Sequence, residues 1–389
     1  PICDTGMGTQ HRRGLALQPL VEWQAGRIDD PVLKLKYLRS VVPRLEKSNQ
    51  RLRTILRFLP LVLVFATVSA CLVRAMVQVD PLPPHIRHVK APVLGSEGLP
   101  DVWKVEGTRD WEIYSNGLRI DNRFSVSNHP RSYKVFPVDR PEETVEPART
   151  QPVGIVFHTT ESQQAPFEAG KNRELKLVAD SLVEYVRQHR AYNFLVDRFG
   201  RVFRIVNETD AADHAGHSVW SDREWLYVNL NESFLGVSFE AKTLPGQEVP
   251  TVSPGQIRSA AMLIEMLRAR YGISATNCVT HAQVSVNPSN MRVGYHTDWA
   301  SSFPFEQLGL PNNYDQPIAA LAAFGFAADA TFLHVAGTRL YAGVDLAEER
   351  IRERATERGV PVEAYRNSLQ RLYRQKFHRP TATSVEKAD

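Results

Sequence analysis

The stretch VGIVFHTTES, residues 153–162, is a run of apolar residues that ends on a histidine. Val153 to Phe157 are apolar on both alternating faces, which is typical of a central strand buried on both sides. His158 stands where this strand ends, and strand ends in open α/β sheets are where clefts form. A single histidine in this position is more often a hydrogen-bonded structural residue than a ligand. The stretch therefore predicts a buried strand and does not by itself assign a function.

Helical and strand-like patterns alternate on the C-terminal side of this strand. Apolar residues recur at helical spacing over 175–186, and Ser253, Pro254 and Gly272 supply the N-cap, first-turn and stop signals of a second helix. Strand-like runs cover 192–196, 202–206, 234–242 and 276–281. This alternation predicts an α/β domain over 151–310, with a mixed central β-sheet flanked by helices.

A second histidine follows another predicted strand in THAQVSVNPSNMRVGYHTDW, residues 280–299. His281 closes that strand as His158 closes the first, and Asp298 follows after a loop. Two imidazoles and one carboxylate from three separate segments are what an open catalytic zinc site needs, with the fourth position left for water. Cys278 would face the opposite side of an extended strand from His281, so we predict that it packs in the core.

Five motifs of this domain occur in the order and spacing seen in one family of enzymes. They are FHTTES, YNFLVDRFGRVFRI, DHAGHS, FLGVSFEAK and VTHAQVS followed by GYHTDWASSFP. Residues from about 150 to 310 thereby resemble the zinc-dependent N-acetylmuramoyl-L-alanine amidases of the amidase-2 family, which includes phage amidases and the peptidoglycan recognition proteins. The resemblance implies the fold of that family, hydrolysis of the amide between N-acetylmuramic acid and L-alanine, and Zn²⁺ as cofactor. The family's zinc ligands match His158, His281 and Asp298.

The resemblance also implies catalytic auxiliaries, and here the chain departs from part of the family. The position of the glutamate base of some members is Ser238, as in the recognition proteins, whereas Tyr192 matches the tyrosine on which those members rely. Glu240 lies on the same face of the predicted strand as Ser238. His296 replaces the family's lysine two residues before the last ligand. Tyr192 and His296 are predicted to stabilise the oxyanion, and the donor of a proton to the leaving amine stays open among Tyr192, His296 and Glu240.

Three further residues are predicted to line a substrate-binding cleft. His214, in DHAGH, matches a cleft histidine of the family, although a turn histidine that fixes its own loop is an equally simple interpretation. Ser238 and Thr159 are the other two. The substrates expected from the resemblance are peptidoglycan or muropeptides.

The N-terminal region is the basic part of the chain. Residues 1–57 carry 11 Lys and Arg against 5 Asp and Glu, an excess of +6, which leaves about −2 of the net +4 for the rest. The near-neutral remainder argues against a nucleic-acid groove. Residues 58–77 begin with sixteen uncharged residues behind several arginines, which predicts a single-pass signal anchor with the catalytic domain on the periplasmic or extracytoplasmic side of the inner membrane. A buried core helix, or a lipoprotein signal ending at Cys71, are the alternatives.

The anchor and the domain leave two further regions. Residues 78–150 are predicted to form a Pro-rich linker and a small β segment, with a hairpin of 111–114 and 118–120 around Asn116-Gly117 and further strands at 124–126 and 133–136. Residues 311–389 are predicted to be mostly helical and broken at 359–361. A helical brace on the catalytic domain is the simplest role for them, and a cell-wall-binding or partner-docking pair of helices is the alternative. The sequence indicates no oligomeric state.

Two functions compete with hydrolysis. Recognition proteins of this fold often bind peptidoglycan without cleaving it, but non-enzymatic members typically lack a zinc ligand, and this chain has all three. A scaffold with a purely structural zinc would need a fourth protein ligand that closes the site. His296 is the nearby residue that could serve as that ligand.

Overall fold

The computed structural model describes residues 34–35, 39, 98–243, 252–328 and 330–377. The chain divides into two compact units, 1–89 and 90–389. Lys34, Leu35 and Arg39 of the first unit are helical. The predicted anchor at 58–77 lies outside the described residues. None of the helices in the described part of the chain combines the length and the apolar character needed to cross a membrane.

The second unit is a mixed α/β structure, as predicted. Its strands are β1 (Lys104–Gly107), β2 (Trp111–Tyr114), β3 (Arg119–Asp121), β4 (Tyr133–Pro137), β5 (Val145–Arg149), β6 (Gly154–Thr159), β7 (Phe194–Val196), β8 (Val202–Arg204), β9 (Val219–Ser221), β10 (Trp225–Val228), β11 (Phe234–Phe239), β12 (Cys278–Thr280), β13 (Val286–Asn287) and β14 (Arg292–Val293). Its α-helices are α1 (Asn172–Gln188), α2 (Pro254–Tyr271), α3 (His281–Val284), α4 (Ala319–Phe324), α5 (Ala330–Glu357) and α6 (Val362–Lys376). Short 3₁₀ helices lie at Ala169–Lys171, Ala275–Asn277, Phe305–Leu308 and Asn313–Asp315.

The central sheet has eight strands in the order β1-β2-β3-β8-β7-β11-β6-β12. Strands β7, β11, β6 and β12 run parallel to one another. Strand β3 also pairs in parallel with β8. The other three pairs, β1 with β2, β2 with β3 and β7 with β8, are antiparallel. Every residue of β6 and β11 is buried, which explains the uninterrupted apolar run at 153–157. A second sheet has the order β5-β4-β10-β9, and β13 pairs with β14.

Helix α2 begins and ends where its sequence signals predict. The Ser253 side chain accepts a hydrogen bond from the backbone N–H of Gln256, and the Gln256 side chain accepts one from the backbone N–H of Ser253. This reciprocal pair satisfies two amides that the first turn leaves without helical partners. Gly272 ends the helix in the left-handed conformation, with φ of 65°.

The segment before the central domain contributes to the same sheet. Strands β2 and β3 form the predicted hairpin around Asn116-Gly117, and β3 pairs in parallel with β8. The strand predicted at 133–136 is β4, in the second sheet. The prediction of a strand at 124–126 was wrong, because Val126 makes only an isolated bridge to Val206. A single bridge leaves the neighbouring backbone without the ladder that defines a strand.

The C-terminal helices pack on the same hydrophobic core. One cluster of buried residues extends from Tyr114 in β2 to Tyr373 in α6, across the sequence positions predicted as domain boundaries. The predicted break is confirmed: α5 ends at Glu357 and α6 begins at Val362. Lys376 Nζ donates to three backbone carbonyls at 141–143, which fastens α6 to the segment between β4 and β5.

We expect that deleting the C-terminal helices unfolds the second unit instead of yielding a free catalytic domain. A chain ending at residue 310 would expose the apolar surfaces that now contact Phe324, Phe326 and Tyr373, and each buried phenylalanine contributes about 3–5 kcal/mol. That loss approaches the net stability of a typical domain, about 5–15 kcal/mol. Thermal melting and solubility measure the effect, with a chain ending at residue 377 as the control. Equal melting temperatures for the two chains would contradict this account of the core.

Candidate active site and metal centre

Three segments bring the predicted ligands together on one face of the central sheet. His158 occupies the fifth position of β6 and lies directly beside Ser238 of β11 in the parallel register. His281 is the first residue of α3. The predicted strand before it is β12, and the capping box of Thr280 and Gln283 begins a helical turn at His281 itself. Asp298 follows the β13–β14 hairpin and is buried.

The Asp298 carboxylate lies between the two imidazoles. Its Oδ2 is 3.1 Å from Nδ1 of His158, and its Oδ1 is 2.9 Å from Nδ1 of His281. The candidate ligand atoms of the three residues all lie within 4.8 Å of one another. The two imidazole rings have centroids 4.4 Å apart. The three side chains converge closely enough to share one ion.

Burial and mutual charge set the protonation of this cluster. Burial, assisted by the neighbouring His281, lowers the pKa of His158 to about 4, so its imidazole is neutral at neutral pH. Burial alone would raise the pKa of Asp298, but the neighbouring His281 imidazole is the largest opposing effect, and the pKa lies below its usual range. The cluster thus offers a neutral imidazole and an ionised carboxylate, the protonation states that a metal requires.

His214 adjoins the cluster and helps to test whether a cation fits it. Its Nε2 is 3.3 Å from the carbonyl oxygen of Phe234, and its Nδ1 is 3.1 Å from Nε2 of His158. Burial lowers the pKa of His214 well below its usual value, so the ring is neutral. A carbonyl can only accept, so His214 carries its proton on Nε2 and accepts at Nδ1 from the N–H of His158. The Nδ1 lone pair of His158 then faces a carboxylate oxygen.

Two electron-rich atoms 3.1 Å apart repel each other unless a cation lies between them. His281 Nε2 is also a buried polar atom without a hydrogen-bond partner among the described residues. Two imidazoles and a carboxylate match the ligand types of catalytic zinc. The residues present therefore fit Zn²⁺.

Tyr192 lies against the cluster with its backbone in an unusual conformation. Its ring centroid is 5.0 Å from that of His158, and its φ is 64°, in the left-handed region. Non-glycine residues adopt this region at a cost of about 1–2 kcal/mol, which the surrounding structure must offset. Burial, and then the charge of Asp298, raise the pKa of Tyr192 to about 12. Its hydroxyl therefore stays protonated at neutral pH and can donate a hydrogen bond.

His296 covers the outer side of His281. The two imidazoles are stacked, with centroids 4.5 Å apart and an angle of 18° between their planes. His296 is exposed, and its backbone is held by hydrogen bonds with the Ser285 hydroxyl. This position places it at the exposed rim of the cluster.

Glu240 and Ser238 lie along the same strand face at different distances from the cluster. Ser238 is fully buried beside His158, and its hydroxyl makes no hydrogen bond to any of the described residues. The Glu240 carboxylate accepts a hydrogen bond from the backbone N–H of Arg198 and, among the described residues, makes none to the three clustered residues. Burial raises the pKa of Glu240 to about 7, so it exchanges a proton near neutral pH.

Thr159 faces the other side of the sheet from His158. Its hydroxyl donates to Glu161 Oε1, which also accepts from the backbone N–H of Thr243 at 2.8 Å. Thr243 Oγ1 in turn accepts from the backbone N–H of Trp299, the residue after Asp298. Thr159 therefore belongs to a hydrogen-bonded chain that ties the end of β6 to the Asp298 loop. The structure does not bring its side chain into the histidine cluster.

Two residues that no sequence pattern indicated hold the cluster from outside it. Asn193, beside Tyr192, accepts from the backbone N–H of Gly236 and donates to three carbonyls of the turn after β8. Arg131, from the segment before the central domain, donates to Asn193 in turn. No sequence pattern pointed to Arg131, because an arginine between two strands is usually exposed. Cys278 is buried as predicted and is not one of the clustered residues.

Comparison with protein families identifies one match. Residues 148–298 match the family model Amidase_2, described as N-acetylmuramoyl-L-alanine amidase. The match contains all three clustered residues and ends on Asp298. No curated protein matches the chain.

Several solved structures are similar to this one. The amidase AmiD from E. coli, solved with the substrate anhydro-N-acetylmuramic acid-L-Ala-D-gamma-Glu-L-Lys, is 18% identical, with 61% of this chain and 95% of that chain covered and a TM-score of 0.34. AmpDh3 from Pseudomonas aeruginosa, in complex with anhydromuramic pentapeptide, is 22% identical, with 59% of this chain and 77% of that chain covered and a TM-score of 0.32. The amidase LysC from Clostridium intestinale is 21% identical, with 41% of this chain and 83% of that chain covered and a TM-score of 0.26.

Replacing any of the three clustered residues by alanine is expected to abolish zinc retention. His158→Ala, His281→Ala and Asp298→Ala each remove one donor from a set of three, and two remaining donors hold the ion weakly. Zinc content after dialysis, measured by atomic absorption, reports the loss. Cys278→Ala is the matched control, because that buried thiol lies outside the cluster and its loss should leave zinc content unchanged. A wild-type chain that purifies without zinc and takes up none would refute the assignment.

Glu240 is expected to make stability depend on pH. Its pKa is about 7 in the folded chain against 4.5 for a free carboxyl, so the folded state is penalised by up to about 3 kcal/mol once Glu240 ionises. Relative to Glu240→Gln, the wild type should match in stability below pH 4.5 and fall behind as pH rises through 7. Denaturant unfolding at pH 4.5 and pH 8 measures the difference. A stability gap that does not change between these two pH values would contradict the raised pKa.

Proposed function

Residues 148–298 form a domain of the Amidase_2 family, and from this premise we propose that the chain is a zinc-dependent hydrolase of peptidoglycan. The bond cleaved is the amide between N-acetylmuramic acid and L-alanine. The observation that carries the proposal is the convergence of His158, His281 and Asp298 on one point within the matched domain. The substrates are peptidoglycan or muropeptides, and the cofactor is Zn²⁺.

His158, His281 and Asp298 would hold the zinc ion. When bound there, zinc supplies a Lewis acid for the substrate carbonyl and a water of lowered pKa as the nucleophile. Three protein ligands leave a fourth position free, as in catalytic and not structural zinc sites. The stacked His296 ring shields His281 from solvent on the side of the exposed loop.

Tyr192 is the donor to the oxygen of the amide as negative charge develops on it. Its hydroxyl is protonated at neutral pH, and the left-handed backbone fixes its ring beside His158 before substrate arrives. A donor fixed in advance pays no reorganisation cost when the charge develops. His296, at the rim, is the second donor that we assign to this oxygen.

Glu240 is the group to which we assign protonation of the departing L-alanine amine. Ser238 occupies the position next to His158 and cannot act as a carboxylic acid, whereas Glu240 follows two residues later on the same face of the chain. A pKa of about 7 lets it hold a proton and release it within one turnover. His214 and Ser238 are buried beside His158.

We propose further that residues 58–77 anchor the chain in the cytoplasmic membrane, with the second unit on the periplasmic or extracytoplasmic side. The basic residues before that apolar stretch support this orientation. Peptidoglycan lies on that side of the membrane, so the orientation would bring the enzyme to its substrate.

A peptidoglycan-binding module without catalysis is the alternative function. Ser238 in place of a glutamate favours it, because the same residue stands at this position in the recognition proteins. The complete set of three ligands and the protonated Tyr192 favour the enzyme.

Digestion of purified peptidoglycan, with mass spectrometry of the products, tests the proposal. The amidase releases free stem peptides that begin with L-alanine and leaves intact glycan chains. Binding to peptidoglycan without release of peptides, by a zinc-loaded chain, would instead support the recognition module.

Tyr192→Phe is expected to lower turnover about 100-fold or more while zinc content and melting temperature stay near wild type. The change removes one hydroxyl without emptying volume, and one oxyanion donor contributes about 3 kcal/mol to catalysis. Initial rates of muropeptide cleavage measure the effect. Tyr185→Phe, at an exposed position on α1, is the control and should keep full activity. If Glu240→Gln abolishes turnover while Tyr192→Phe barely changes it, the roles of the two residues are reversed.

A further inference from the structure

Arg131 is a buried cation whose hydrogen bonds go to backbone and amide oxygens. It lies in the segment before β4, outside the 148–298 match, and only 2% of its surface is exposed. Its guanidinium donates to the carbonyl oxygens of Glu208, Asn231, Glu232 and Phe234 and to Asn193 Oδ1. Burying a charge costs several kcal/mol even when it is well hydrogen-bonded. The hydrogen-bond partners of this buried arginine indicate what it does in the fold.

Two of these partners hold His214. The Phe234 carbonyl accepts from Arg131 Nη1 at 2.8 Å and also lies 3.3 Å from His214 Nε2. Asn231, whose carbonyl accepts from the same Nη1, uses its side-chain oxygen to accept from the backbone N–H groups of His214 and Ala215. One guanidinium therefore fixes both the acceptor of the His214 ring and the residue that holds its backbone.

The third partner fixes the surface on which the His214 ring lies. Asn193 Oδ1 accepts from Arg131 Nη2 and from the backbone N–H of Gly236, each at 3.0 Å. The His214 ring packs on Gly236 so closely that a Cβ there would lie 2.7 Å from its Cγ. Tyr192 precedes Asn193 in the chain. Arg131 thus supports two residues: it bonds Asn193, which follows Tyr192, and through Asn193 it holds Gly236, the strand glycine on which the His214 ring packs.

The direction of the hydrogen bonds gives this arrangement a consequence at the metal position. Because the Phe234 carbonyl can only accept, His214 donates from Nε2 and presents a lone pair at Nδ1. That lone pair accepts from the Nε2–H of His158, 3.1 Å away. The proton of His158 is then held on Nε2, and its Nδ1 lone pair points at the position shared with Asp298. Ligating histidines are generally oriented by such a hydrogen bond from the other ring nitrogen.

We propose that His214 is a positioning residue for the metal ligand His158, that it acts through the Phe234 carbonyl–His214–His158 relay, and that Arg131 braces this relay. His214 thereby has a different role from the substrate contact expected from the sequence. The segment before the matched domain becomes part of the metal site through Arg131. The inference rests on the proposed function only in that the metal is zinc.

Zinc affinity, measured by competition with a chromophoric chelator, tests the relay without any substrate. His214→Leu removes the acceptor at the Nδ1 position while keeping similar bulk, and we expect zinc to bind about 10- to 100-fold more weakly. His214→Asn places an amide oxygen near that position and should retain most of the wild-type affinity. His189→Leu, an exposed histidine at the end of α1, is the matched control and should change nothing. Melting temperatures measured alongside verify that each variant is folded.

Arg131→Lys tests the brace, because an ammonium keeps the charge but cannot reach five acceptors. We expect Arg131→Lys to bind zinc more weakly than His214→Asn and more tightly than His214→Leu. Should this variant fail to fold, Asn231→Ala replaces it, since it removes the hydrogen bonds that hold the His214 backbone. A folded Arg131→Lys with wild-type zinc affinity would overturn the role of Arg131, and a folded Asn231→Ala with wild-type affinity would overturn the part of the brace that holds the His214 backbone.

The relay itself is overturned if His214→Leu and His214→Asn bind zinc equally, whether both as tightly as the wild type or both weakly. Equal losses would mean that ring shape matters and the acceptor does not. A wild-type chain that binds zinc but cleaves no muropeptide would refute the proposed function and leave the relay standing. The two failures are therefore distinguishable.

Discussion

A carboxylate buried between two imidazoles is the constraint on which the rest of the site depends. Asp298 is ionised although it is almost fully excluded from solvent, and the imidazole lone pair of His158 faces it. Such an arrangement is costly unless a cation occupies the centre. Binding of a metal there would be coupled to the folding of these segments, since the three residues meet only in the folded chain. Of the three, His158 lies on the buried strand β6, which pairs with the equally buried β11, and His281 directly follows β12.

The supports of this centre come from both ends of the second unit. Arg131, before the matched domain, fixes the carbonyl and the asparagine that position His214. From the other end, Phe332 of α5 lies so close to Gly294 that a Cβ there would be 1.9 Å from its ring, and Gly294 precedes the loop that carries His296 and Asp298. One hydrophobic cluster includes residues from both flanking regions. The matched domain of 148–298 therefore folds as part of a larger core.

The sequence predicted those features that are encoded locally. The buried run at 153–157, the capping residues of α2 and the break before α6 each have a short-range physical signal, and all three are confirmed. The grouping of His158, His281 and Asp298 was predicted from their residue types on three segments and from the resemblance to the amidase-2 family. The features that were missed depend on contacts between distant segments. Arg131 reaches its partners at separations of 62 to 103 residues, and nothing in its own neighbourhood indicates that it is buried.

X-ray absorption at the zinc edge of the purified, zinc-loaded chain tests the central claim most directly. The account predicts a four-coordinate site with two imidazole nitrogens, one carboxylate oxygen and one oxygen from water, and it predicts the loss of one imidazole in His158→Ala. A third imidazole in place of the water would mean that a further histidine closes the site and that the zinc is structural. That result would contradict the open site from which the hydrolytic function was inferred.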